Sequence, residues 1–482
     1  MLIGEGKNMK NILLSKGLIF GIIILFIGAS VIPSMGVNIV DRDFTQPNNT
    51  SFLKINTNGK TLYVGGTGGD NYSRIQDAID DASNGDTVFV YAYSSLYYEN
   101  VFVDKSINLI GEDRNTTIID GNGMGDVVYI SADGVNISEF TIQNSGSICY
   151  NAGIHITSDD NKVTGNIFTI NNEIGVWLDN SNNNIVTNNV INSNGLDGIW
   201  LDFSNDNIIS KNTISSNSFD GIVLYDANNN IVSDNKISFN NEKGVVIYNP
   251  SHNNIIVNNI ILSNNKDGIY INSSNNYIYH NNFINNLQNA NDEGGNIWDN
   301  GYPSSGNYWS DYTGDDDYHG PNQDISGHDR IGDFPYEISG EHGTDFYPVM
   351  YPNGWSNEAP QDLTLYGRTY GKVGDEYTYT ASANDSDDDP IYYKFDWGDG
   401  SYSDWLGPYS SGTEGSDSHG WSVGIFDIRV KAKDTRGLEI DWSDPFRVTM
   451  PRSKQFIFSF KLLGWLFERF PRALLILGYK RG

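Results

Sequence analysis

Between residues 153 and 286 the apolar positions fall into a fixed, repeating order. The motif Gly-(Ile/Val)-x-(Leu/Ile) opens at Gly153, Gly175, Gly198, Gly221, Gly244 and Gly268, at spacings of 22, 23, 23, 23 and 24 residues. Apolar residues two apart mark one face of a strand, so Ile154, Val176, Ile199, Ile222, Val245 and Ile269 point inward, followed by Ile156, Leu178, Leu201, Leu224, Ile247 and Ile271. Three files of asparagine keep the same period. One runs Asn161, Asn184, Asn207, Asn230, Asn254, Asn276; the next Asn166, Asn189, Asn212, Asn235, Asn259, Asn281; the last Asn171, Asn194, Asn217, Asn240, Asn264, Asn286. A repeat of this length is one coil of a solenoid, with about three short strands per coil and coils roughly 4.8 Å apart. An inward Asn at a bend then bonds to its copy one coil away, and the middle file is the expected structural ladder. Asn217, in the last file, is expected nearer a surface bend. Asn and Gly also tolerate the left-handed backbone that sharp bends require. A leucine-rich repeat shares the period but not the Leu-x-x-Leu-x-Leu order. The pattern predicts an all-β chain built on a right-handed parallel β-helix.

The flanks are read the same way. Tyr72–Ala82 has Ile75, Ala78, Ile79 and Ala82 on one helical face, a short helix that would plug the open first coil. The β-helix with this cap spans 59–290. Residues 291–355, rich in Gly, Asp and Trp, close it. From Pro360, strand-like runs alternate with Gly/Asp/Ser turns, which predicts a small immunoglobulin-like β-sandwich over 358–450. At the start, Lys7, Lys10 and Lys16 precede the apolar run Leu18–Ile32 and the small residues Ser34-Met35-Gly36. Residues 1–36 therefore read as a signal peptide, with an N-terminal anchor as the alternative, and 37–58 as a linker. The apolar and basic tail 451–482 is read equally as an interfacial segment, a sorting signal or a docked element.

Particular stretches resemble known families. IQDAID, NGDTVFV, YYENVFV, KSINLIGE and TTIIDG, between Ile75 and Gly121, resemble the opening of NosD-type and carbohydrate-binding/sugar-hydrolysis β-helix proteins with a pectin-lyase-like fold. NIWDNG, GNYWSDYTGDD, IGDFPYEI and DFYPVMYP resemble the segment that follows the helix in archaeal NosD-like surface proteins. Asp396-Trp397-Gly398-Asp399-Gly400, with Asp385-Ser386-Asp387 and Val430–Asp434, resembles PKD-like domains, which act as spacers or adhesion modules. The NosD resemblance implies copper handling, while the fold alone hosts lyases, hydrolases, epimerases and adhesins.

Composition narrows the choice. A formal charge of −30 argues against nucleic acid as a partner, and a single cysteine, Cys149, excludes an internal disulfide. No arginine occurs between Arg114 and Arg330, which argues against arginine-dependent lyase chemistry in the regular coils. The seven histidines are scattered, with no Met-rich stretch beside them, so copper rests on the resemblance alone. Asp311, Asp315, Asp316, Asp317, Asp324, Asp329 and Asp333 place hard oxygen donors at short spacing, a pattern that suits calcium. The file Asp197, Asp220, Lys243 and Asp267 before the repeat glycines is read as structural.

Parity also predicts an outward file: His155, Trp177, Trp200, Val223, Val246 and Tyr270, with Asp179 and Asp202 two residues beyond the tryptophans. Stacked indoles beside carboxylates suit sugar rings, which makes His155, Trp177, Asp179, Trp200, Asp202 and Tyr270 the candidate glycan site, without catalytic residues. The reading is an exported, secreted or cell-surface β-helix that binds a polysaccharide, a cell-surface glycan or another surface protein, with membrane association through either end. The alternatives are a polysaccharide-modifying enzyme on the same scaffold and a NosD-like periplasmic copper accessory.

Overall fold

The computed structural model describes residues 59–148 and 150–451. The N-terminal segment, the linker and the tail beyond Pro451 lie outside the described residues. Among the described residues no helix is long and apolar enough to cross a membrane.

The body is a parallel β-helix of three ten-stranded sheets. The first sheet runs from Thr61–Val64 to Tyr277–Tyr279, the second from Val101–Val103 through Gln288–Asp292 to Ser339–Gly340, and the third from Tyr97–Tyr98 to Tyr308–Trp309. Successive repeats pair in register, Val176 on Ile199 and Ile199 on Ile222. The inward Ile, Val and Leu files are fully buried. Each residue thus packs on its copy above and below, and the apolar column is continuous.

The asparagine files form three buried hydrogen-bonded ladders. Asn212 donates its backbone N–H and Nδ2 to Asn235 Oδ1 at 2.9 and 3.0 Å, and Nδ2 also reaches Val186 O at 2.9 Å. Its own Oδ1 accepts from Asn189 at 3.0 and 3.1 Å. Asn217 is no nearer the surface: it is 1% exposed and sits in its own ladder between Asn194 and Asn240. The left-handed residue is the one before each ladder asparagine: Lys211 (φ 56°), Asp234 (57°), Asn258 (58°), Phe239 (57°), even Ile170 (45°). The bend therefore turns on that residue, which frees the following Asn to point inward.

Both ends are closed. The helix Ile75–Asp81 lays Ile75, Ala78 and Ile79 on the first coil, and the Glu99 carboxylate accepts the backbone N–H groups of Ile75 and Gln76 at 2.8 and 3.1 Å. At the far end Trp309 stacks between Phe283 (4.5 Å) and Tyr336 (4.3 Å), with Trp298 beside it. Each ladder ends there on a carboxylate. The first passes from Asn276 to Asn296 and Asp292, the second from Asn281 to Asn307 and Asp345, and the third from Asn286 through Asn289 to Asp311. Asp292 and Asp345 also accept the indole N–H groups of Trp298 and Trp309, at 2.8 and 2.9 Å.

The sandwich packs a three-stranded antiparallel sheet (Gln361–Tyr366, Tyr377–Asn384, Gly415–His419) on a four-stranded one (Leu406–Tyr409, Ile391–Asp396, Gly424–Asp434, Phe446–Met450). Tyr379, Phe395, Trp397 and Trp421 fill its core. Arg436 crosses to the closing segment of the β-helix, donating to the carbonyls of Pro303, Gly354, Trp355 and Ser356.

Candidate functional site

The second sheet carries the outward residues. His155 pairs with Trp177 and Trp177 with Trp200, while Asp179 pairs with Asp202. The imidazole of His155 lies flat on Trp177, centroids 3.9 Å apart and planes 11° from parallel, and meets Tyr129 edge-on at 5.0 Å. Its Nδ1 shares a hydrogen bond of 3.0 Å with Asp126 Oδ2, and its Nε2 faces Asp179 Oδ2 at 3.6 Å. Trp177 and Trp200 are 6.4 Å apart, tilted by 34°. Both are partly covered by Tyr150, whose ring meets them edge-on at 6.4 and 5.2 Å.

Four buried polar atoms in this group have no hydrogen-bond partner: His155 Nε2, Trp177 Nε1, Trp200 Nε1 and Asp202 Oδ1. Burial raises the pKa of Asp202, and the neighbouring Asp179 and Asp226 add to the rise. A half-buried carboxylate and three nitrogens without hydrogen-bond partners beside flat rings can exchange hydrogen bonds with hydroxyl groups. The pair Asp126–His155 has the form of an oriented base with a free second nitrogen, yet no arginine occurs in the regular coils to steady an anionic intermediate.

Two members of the group escaped the sequence reading. Asp126 belongs to an irregular coil, where Gly125-Asp126-Val127-Val128-Tyr129-Ile130 only approximates the repeat and Tyr129 pairs with His155. Tyr150 sits in an insertion before Ala152 that has no counterpart in other coils. Tyr270 stands apart: Val223 and Val246 separate it from the indoles and are themselves covered, at 4% and 0% exposure. Its hydroxyl bonds Glu293, and Lys243 lies over its ring at 5.4 Å. The outward file is therefore interrupted at Val223 and Val246, with Trp177 and Trp200 half-buried on one side of the break and Tyr270 half-buried on the other.

The Asp file is a backbone device. Asp197 Oδ1 accepts the N–H of Asp220 at 2.9 Å, and Asp220 Oδ1 that of Lys243 at 2.7 Å. Burial pushes Asp197 up to about 7, with a smaller contribution from the Asp220 charge.

The seven acidic residues of the closing segment are not gathered into one site. Asp316 accepts the N–H groups of Asp329 and Arg330, Asp329 that of Ile331, and Asp333 those of Asp317 and Tyr318, while Asp311 bonds Asn289 and Tyr336. Asp315 adds a backbone contact to Asp333, and Asp324 is exposed. Nor do the histidines fit copper. Among the described residues no histidine belongs to a group of three His, Cys, Asp or Glu donors all within 4.8 Å of one another, and His155 meets Asp126 and Asp179 through opposite ring nitrogens. His280 is bonded to Ser304 O and lowered to about 4 by burial, His319 bonds Tyr392, and His419 bonds Asp399. Among the described residues no soft-donor cluster of the kind copper needs is formed.

No curated protein matches the chain. Among solved structures it is similar to the PKD domain of an M14-like peptidase from Thermoplasmatales archaeon SCGC AB-540-F20, 40% identical over 20% of this chain and 100% of that one, TM-score 0.19. It is similar to a mutant of the periplasmic alginate epimerase AlgG, 17% identical over 44% of this chain and 55% of that one, TM-score 0.30. It is also similar to pectate lyase Pel9A, 15% identical over 49% of this chain and 76% of that one, TM-score 0.38. Over residues 79–314 the chain matches the family model described as periplasmic copper-binding protein (NosD).

Proposed function

We propose that this is an exported β-helix protein that binds polysaccharide on the His155–Trp200 face without modifying it. The observation that carries the reading is the set of four buried polar atoms without a hydrogen-bond partner around two half-buried indoles on successive coils. A buried donor or acceptor left unpaired costs about 1–3 kcal/mol, and sugar hydroxyls arriving against the rings would recover that cost. Asp126, Asp179 and Asp202 in the site, on a chain of net charge −30, favour neutral or amino-sugar glycans over polyuronates. The export signal read in residues 1–36 accords with such a partner.

The test is Trp177→Ala with Trp200→Ala, checked by circular dichroism for intact folding and then run on immobilised polysaccharides. Retention of wild type on a neutral glycan, with loss of about tenfold or more in the double variant, is expected. Equal retention of the two proteins would refute the assignment of this face. Shortened or epimerised polysaccharide after incubation would replace binding with catalysis at His155.

A further inference from the structure

A second group of unpartnered acceptors lies in the sandwich, away from the aromatic face. Asp385, Asp387 and Asp389, alternate residues in the turn Asn384–Pro390, each bring a carboxylate oxygen within 4.8 Å of the others. Asp389 is 1% exposed and Asp385 7%. Both oxygens of Asp389 and Oδ2 of Asp385 are buried without any hydrogen-bond partner. Asp385 Oδ1 accepts the N–H groups of Asp387 and Asp389, which curls the turn so that the three side chains converge.

The charge around this turn does not balance. Arg330 reaches Asp387 at 3.1 Å, and burial raises the pKa of Asp389 against the opposing charge of Arg436. Against these two guanidiniums stand Asp385, Asp387 and Asp389, with Asp434 and Asp329 close to Arg436. Five carboxyl groups thus share two guanidiniums in a largely buried place. Isolated buried carboxylates are costly unless paired or bound to a cation.

We infer that Asp385, Asp387 and Asp389 form a calcium site at the seam between the sandwich and the closing segment of the β-helix. The donors are all hard oxygens, and Asp389 can offer both of its own, as calcium's flexible shell of about 6–8 oxygens allows. Magnesium, which keeps several waters and needs near-ideal octahedral geometry, fits less well among buried acceptors. The location gives the ion a task. Asp387 also accepts the N–H of Glu358 at the entry to the sandwich, and Arg330 comes from the β-helical side. A bound ion removes the repulsion that opposes closure of this seam.

The experiment uses the full chain stripped with a chelator and titrated with calcium chloride, followed by calorimetry and thermal melting. Wild type is expected to bind calcium and to melt at a higher temperature with it. Asp389→Asn should weaken binding by on the order of 100-fold, the upper end of the ~10–100-fold typical of losing an outer-shell partner. Asp387→Asn, at a less buried position, should weaken it by about tenfold and serves if the first variant does not fold. Asp324→Asn with Asp333→Asn, in the acidic closing segment, should leave it unchanged. Absence of heat and of any melting shift at millimolar calcium would overturn the site. So would undiminished binding in Asp387→Asn, or binding abolished by the Asp324/Asp333 pair alone.

Discussion

A single ladder asparagine holds two coils at once, and its replacement should show it. Asn212→Leu leaves the N–H of Asn189 and the carbonyl of Val186 without their side-chain partner, each worth about 1–3 kcal/mol when buried. A large fall in melting temperature is expected, whereas Asn241→Ser on the exposed surface should stay within about 0.5 kcal/mol of wild type. Coincident melts would show that the ladder contributes no stability. Ile170 gives the opposite case: a β-branched residue at φ 45°, 55% exposed, with little packing to lose. Ile170→Asn should gain roughly 1 kcal/mol by relieving left-handed strain; an unchanged or lower melting temperature would contradict this. The ladder files were legible because the same residue returns every coil. The left-handed positions were not, because Ile170, Lys211 and Phe239 share no chemistry, only their place before the asparagine.

At the level of the strand and its bend, the file before the repeat glycines couples stability to pH. Asp197 titrates near 3.8 when unfolded and is raised to about 7 by burial when folded. The folded state then binds the proton more tightly, so this group's contribution is complete below about pH 4 and is lost as the pH rises through about 7. Asp197→Asn keeps an oxygen for the Asp220 N–H and removes the charge. It should be more stable than wild type at about pH 8 by up to a few kcal/mol, since each tenfold change in proton affinity is worth about 1.4 kcal/mol. Its melting temperature should also vary less between about pH 5 and pH 8. Parallel profiles for the two proteins would show that Asp197 does not carry the dependence. Parity along the same strands placed Trp177 over Trp200 and Asp179 beside Asp202 from sequence alone, since alternation is a local rule. It could not show that Val223 and Val246 would be covered, nor supply Asp126 and Tyr150, which come from an irregular coil and an insertion.

Over the whole molecule, the repeated glycines located the body but not its far end. Beyond Asn286 the Gly-Ile signature is lost, yet the ladders continue through Asn296 and Asn307 on residues spaced by turns and not by the repeat. The route by which they end has an electrical meaning. Along the middle file each rung donates its backbone N–H and Nδ2 to the oxygen of the next asparagine and accepts from the one before, while Nδ2 also reaches back to a backbone carbonyl of the previous coil. Each file of amides is therefore a row of aligned dipoles, with its negative end at the first coils and its positive end at the last. The strands themselves contribute little net dipole, so the solenoid owes its axial polarity to these side chains. Asp292, Asp345 and Asp311 stand at the positive end, the arrangement by which acidic groups stabilise the start of an α-helix. Inserting or deleting a coil in the middle lengthens or shortens the row without changing either terminus. A β-helix built this way can vary in length while its two ends keep the same chemistry.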